Sequence, residues 1–135
     1  RFNKIYDVEI KIHRKIRSLN ANSYLWELVG QIANLIGSTK EEVYLKELKR
    51  YGQSLLIPVE IDKEPDGFFK YYEFRQRGKI NNKACDWYVV YKGSSQYDTK
   101  EMSVLLNGVV SDCKELDIPT LDDYRINQLI KDWEG

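Results

Sequence analysis

The residues with chemistry to offer fall into three groups. KIHRKIR, residues 11–17, carries Lys11, Arg14, Lys15 and Arg17 without an acid among them, and Tyr24 and Trp26 follow closely. Cations interleaved with aromatic rings suit single-stranded nucleic acid, whose phosphates need neutralising and whose bases stack. KELKRYG repeats the theme with Lys46, Lys49, Arg50 and Tyr51. The third group is acidic. Glu60 and Asp62 in VEIDKE, or Asp66 with Glu73, could hold a divalent cation against a scissile phosphate as metal-dependent nucleases do. That pattern fits poorly, because Pro65-Asp66-Gly67 is turn chemistry and Arg75 stands where such a site would carry a lysine. Plainer readings stand beside all three: acids at strand ends are usually solvated, and Trp26 at helical spacing belongs to a core as readily as to a base stack.

Other chemistries lack their residues. His13 is the one histidine, too few for an HNH nuclease core, a zincin or most Cys/His and Ser/His arrangements within this sequence. Cys85 and Cys113 lie far apart with no CxxC pair, so they read as free, buried thiols. Neither GxxxxGK[ST] nor GxGxxG occurs. The expectation is therefore a binding protein without catalytic residues, metal or cofactor.

Formal net charge is zero, which removes bulk attraction to nucleic acid and leaves only local patches. The charge is unevenly spread. Residues 111–135 hold Asp112, Glu115, Asp117, Asp122, Asp123, Asp132 and Glu134 against Lys114, Arg125 and Lys131. One basic and one acidic surface are expected. The 135 residues suit a single domain, 1–135. No apolar run approaches the length of a membrane span or a signal-peptide core, and a cytoplasmic location is expected.

The elements that must position these groups follow from periodicity. Tyr6, Val8, Ile10 and Ile12 alternate with polar residues, predicting a strand over 6–13. Leu25, Leu28, Val29, Ile32 and Leu35 or Ile36 recur at helical spacing up to Gly37, and Ser38 with Glu41 makes a capping-box pattern for a helix reaching about Arg50 and stopped by Gly52. SLLIPVEI alternates at Leu55, Ile57, Val59 and Ile61, with Pro58 arguing for an edge strand. FFKYYEFRQR and ACDWYVVYKG read as a hairpin around GKINNK; this segment (78–83) and DKEPDG (62–67) are the expected loops.

Asp98 and Glu101 cap a helix with Met102, Leu105, Leu106, Val109, Cys113 and Leu116 on one face. A last helix, from about Leu121 to Trp133, follows Pro119 and a Thr120 cap with Asp123 three residues on, and presents Tyr124, Leu129, Ile130 and Trp133. The order β-α-α-β-β-β-α-α gives an α+β fold with a small antiparallel sheet and about four helices.

RSLNANSYLW, residues 17–26, is more polar than a helix start requires: Ser18, Asn20 and Asn22 include the cap, and one such residue is enough. Arg17 and the spare amide stand where a helix N-terminus can receive phosphate. RSLNANSYLWELVGQIANLI resembles the RSL-polar-x-N-x-x-x-W segment and following amphipathic helix of the NinB, or Orf, family of phage recombination proteins. YKGSSQYDTKEMSVLL resembles that family's strand, small-polar loop and helix, and IKDWEG its tryptophan-bearing C-terminus. With the strand at 6–13 these run in the family's order, and only 53–86 lacks a counterpart.

The resemblance implies a NinB-like fold and a recombination accessory protein, a mediator of the phage or prophage type working in the bacterial cytoplasm. It would bind single-stranded DNA, cooperate with single-strand-binding protein, and help a recombinase or annealing protein gain access, as an intertwined homodimer with a basic groove. Arg17, Asn22 and Trp26 match the motif residue by residue. Ser94 and Ser95 match the small-polar loop, whose hydroxyls and backbone donors suit phosphate. Asn22, Trp26 and Trp133 could equally be structural. Asp132 stands where the family carries a basic residue, so the acidic last helix suits protein contact better than DNA. The candidate DNA-binding set is Lys11, Arg14, Lys15, Arg17, Asn20, Asn22, Lys46, Lys49, Arg50, Ser94 and Ser95. Two alternatives remain: a metal-dependent nuclease, and the DNA-targeting domain of a longer nuclease.

Overall fold

A computed structural model describes residues 19–134. The expected strand at 6–13 and the cations Lys11, Arg14, Lys15 and Arg17 lie outside the described residues.

Helix α1, Ala21–Ile36, is capped by Asn20. The Asn20 side chain accepts from Ser23 N at 2.8 Å and Ser23 Oγ accepts from Asn20 N at 2.9 Å, a reciprocal box that satisfies two donors otherwise left orphaned. Gly37 ends the helix at φ 70°, the left-handed conformation only glycine enters without strain. Helix α2, Lys40–Tyr51, starts from Thr39 rather than from the expected Ser38. Ser38 N still bonds back to Ala33 O, so Ser38 belongs to the exit of α1, while Thr39 Oγ1 receives Glu42 N. The Ser38 hydroxyl instead donates to Glu42 Oε2 at 2.6 Å.

Three strands follow: β1 (Ser54–Glu60), β2 (Tyr72–Ile80) and β3 (Lys83–Tyr91). They form one antiparallel sheet in the order β1-β3-β2. Among the described residues β1 is thus an edge, where the missing N–H of Pro58 breaks no ladder. The β2–β3 turn is only Asn81-Asn82, both left-handed at φ 49° and 66°, the geometry of a tight two-residue hairpin. The expected loop at 78–83 is therefore mostly strand. Phe68–Tyr71, expected as the start of the hairpin's first strand, lies outside the ladder.

Helices α3 (Thr99–Glu115) and α4 (Asp123–Lys131) complete the order. Asp98 and Glu101 form the expected capping box. Met102, Leu105, Leu106, Val109 and Cys113 are buried against α1, α2 and α4, but Leu116, at the helix's exit, is exposed. α4 departs further from expectation. Its cap is Asp122, whose Oδ1 accepts from Arg125 N at 2.8 Å, not Thr120. Ile126 and Ile130, four apart, face the core, which leaves Tyr124 on the opposite side at 74% exposure. Trp133 lies beyond the helix, with Nε1 donating to Tyr97 O at 2.9 Å.

The core is built almost wholly among helices, and Tyr91 is the strand residue packed against it. For this reason the inward alternation expected of β1 fails at Leu55 and Ile61, which are exposed, while Val59 is buried. Leu35 and Ile36, at the open end of α1, are exposed too. Cys85 and Cys113 are free and buried. Among the described residues no helix is long and apolar enough to cross a membrane.

Candidate nucleic-acid interface

A cleft of about 470 Å³ opens where the start of α1, the middle of α2, residues 68–71 and the turn after β3 meet. Its walls are aromatic. Trp26 stacks on Tyr44 with ring centroids 4.0 Å apart and planes 18° apart, and Tyr71 leans on Tyr44 at 5.2 Å and 59°. Phe68 and Phe69 extend the wall outward, and Lys70 and Lys92 stand at the rim.

A chain of hydrogen bonds holds the floor. Ser94 N donates to the Tyr44 hydroxyl at 2.7 Å, and Ser94 Oγ donates to Asn22 Oδ1 at 2.5 Å. Tyr44 OH and Ser94 Oγ are also 2.7 Å apart. Ser94 has one hydroxyl proton and gives it to Asn22, so Tyr44 must be the donor in that contact. The hydroxyl protons then run one way, from Tyr44 through Ser94 Oγ to the Asn22 carbonyl, while the Ser94 amide donates back to the Tyr44 oxygen. Ser94 is 1% exposed, and burial pushes the Tyr44 phenol above its ordinary pKa, which keeps it a neutral donor. The chain leaves the Asn22 Nδ2 amide without a bond among the described residues.

The two asparagines of the polar stretch therefore divide the work: Asn20 caps α1, and Asn22, the second residue of the helix, fastens it to the loop after β3. Trp26, one further turn on, is half-buried and closes the cleft wall by its stack on Tyr44. Ser95 is exposed at the same turn. Thus Asn22, Trp26, Ser94 and Ser95 gather at one place.

Lys46, Lys49 and Arg50 do not join them. Lys46 is exposed on α2, whereas Lys49 Nζ is held 3.1 Å from Glu73 Oε2 and draws that carboxyl below its ordinary pKa. Arg50 Nη1 lies 2.8 Å from Asp112 Oδ2 and 3.8 Å from Glu47 Oε1. Tyr51 OH donates to Asp112 Oδ1 at 2.9 Å. Asp112 takes both the cation and the phenol, and Glu47, only 5% exposed beside it, is pushed up to about 8 by burial first and by Asp112 second. Burial, with both carboxyls adding, raises the Cys113 thiol to about 11, which makes it a poor nucleophile.

The acids of the nuclease reading are scattered. Asp66 accepts from Tyr72 OH, Glu73 is engaged by Lys49, and Glu60 and Asp62 are exposed. Among the described residues no group of three or more His, Cys, Asp or Glu gathers to hold a metal ion.

The sequence reading missed Tyr44, Phe68, Phe69, Lys70, Tyr71 and Lys92. The signal was present in FFKYY, where Lys70 stands between two aromatic pairs, but no local rule links that segment to α1. Compared with protein-family models, curated proteins and solved structures, the chain gives no match.

Proposed function

We propose that this chain is a NinB-like recombination accessory protein that binds single-stranded DNA. The observation that carries the reading is the Asn22–Ser94 hydrogen bond. Two segments that resemble the same family's motifs, 72 positions apart, meet through it at the floor of an aromatic cleft. Aromatic surface with cations at its edge is what a sequence-tolerant single-strand binder needs. Arg17 lies three residues before the cap of α1, so the basic run leads into the helix that walls this cleft.

In this reading the protein works as a homodimer beside single-strand-binding protein and a recombinase or annealing protein, in a bacterial cell, without hydrolysing DNA. Binding to a fluorescent oligothymidylate, followed by anisotropy at increasing salt, tests it. A log-log slope of about −0.7 per neutralised phosphate is expected. Absence of binding at low salt and micromolar protein would overturn the reading.

A further inference from the structure

We infer that the cleft between Trp26, Tyr71 and Gly93 takes one unstacked nucleobase of the bound strand, so that binding depends on bases as well as phosphates. The inference rests on the single-strand reading and specifies what its aromatic site holds. At about 470 Å³ the cleft has the size of a small-ligand site, ample for a base and its sugar. The half-buried rings of Trp26 and Tyr71 offer π-surface backed by Tyr44, so they are fixed before anything binds. A preordered ring loses little freedom when a base stacks on it.

Polarity is placed to suit a base. The chain from Tyr44 through Ser94 ends on Asn22 Oδ1, which orients the side-chain amide and leaves its Nδ2 protons for an acceptor on a base edge. Lys70 has no carboxylate within ion-pair distance among the described residues; its ammonium lies 5.4 Å from the Tyr71 centroid. It is exposed on a flexible stem, so a base can replace it over the ring while the charge moves to a flanking phosphate. Lys92, by contrast, is held by Glu101 at 3.0 Å.

Gly93 supplies the means to test this. Its backbone, φ −69° and ψ 144°, suits any residue, and a Cβ there would meet only Tyr71 Cε2, at 3.8 Å. Gly93→Val therefore fills the cleft beside Tyr71 without straining the chain.

The experiment compares an oligothymidylate of about 12 nucleotides with an abasic deoxyribose-phosphate strand of equal length and charge. The abasic strand should bind about tenfold more weakly with the same salt slope. Gly93→Val should weaken thymidylate binding by a similar factor, leave abasic binding as it was, and unfold at the parent's temperature. Equal affinity of the parent for both strands would overturn the base pocket while leaving single-strand binding intact, and so would a Gly93→Val protein that binds thymidylate normally. Failure to bind either strand would overturn single-strand binding itself, and the pocket with it.

Discussion

Arg50 Nη1 stands 2.8 Å from Asp112 Oδ2, tying α2 to α3, and the buried Glu47 carboxyl lies beside the pair. Two neighbouring carboxyls cannot both ionise cheaply away from water. Asp112 has the guanidinium and the Tyr51 hydroxyl, whereas Glu47 Oε2 has no hydrogen-bond partner, so Glu47 holds the proton.

That arrangement sets a pH dependence. Glu47 is raised from 4.5 to about 8, so between those values the folded state binds a proton that the unfolded state has released. Its contribution is fully present below 4.5 and is lost as pH rises through about 8, at up to about 1.4 kcal/mol per pH unit. Glu47→Gln removes the titrating group and keeps the shape. Denaturant midpoints from pH 6 to 9 should fall more steeply for the parent than for Glu47→Gln; parallel curves would refute the assignment.

Ser94→Ala breaks the chain at its centre, leaving the buried Tyr44 hydroxyl without its acceptor and Asn22 without its donor. We expect a loss of about 1–3 kcal/mol in chemical denaturation. Asn22→Ala should cost less once Ser94 is already alanine, since the two share one bond. Strictly additive losses would mean that the bond contributes nothing.

Arg14→Ala, Lys15→Ala and Arg17→Ala together should weaken binding to all single strands alike and flatten the salt slope by about one contact each. If these cations serve the strand rather than the fold, the triple variant should unfold at the parent's temperature. Trp26→Ala is the contrasting control and should lower stability by several kcal/mol, because it opens the stack on Tyr44. A triple variant with the parent's affinity and slope would exclude the basic run as a DNA contact.

The sheet offers a surface for the proposed homodimer. Leu55 pairs with Val90 and Phe74 with Tyr88, two positions apart on β3, so both lie on one face, and they are 70% and 55% exposed. Light scattering at micromolar concentration should give twice the chain mass, and Leu55→Glu with Phe74→Glu should halve it. A monomeric parent would count against the homodimer.

Cap and turn chemistry was legible in the sequence because it is local. Gly37, the Asp98–Glu101 box and the position of Pro58 each depend on backbone geometry within a few residues, and the α+β order follows from hydrophobic spacing in the same way, whereas the choice of Asn20 over Ser18 and Asn22 as the cap of α1 stayed open. Errors arose where two polar residues competed for one role, as with Ser38 and Thr39 or Thr120 and Asp122, since only the path of the preceding chain decides which oxygen reaches the orphaned amide. Burial was readable only where an element had a partner to bury against: α3 showed its face, but β1 and α4 were misjudged at Leu55 and Tyr124 because the helices pack on one another and leave those sides open. Tertiary structure alone decided the site. Nothing near Asn22 in the chain says that its carbonyl will receive the Ser94 hydroxyl, that Tyr71 will lean on Tyr44, or that Arg50 will be neutralised by Asp112. Those contacts join segments far apart in sequence, and they exist because packing α1 to α4 into one core brings their ends, and the loops between them, to the same place.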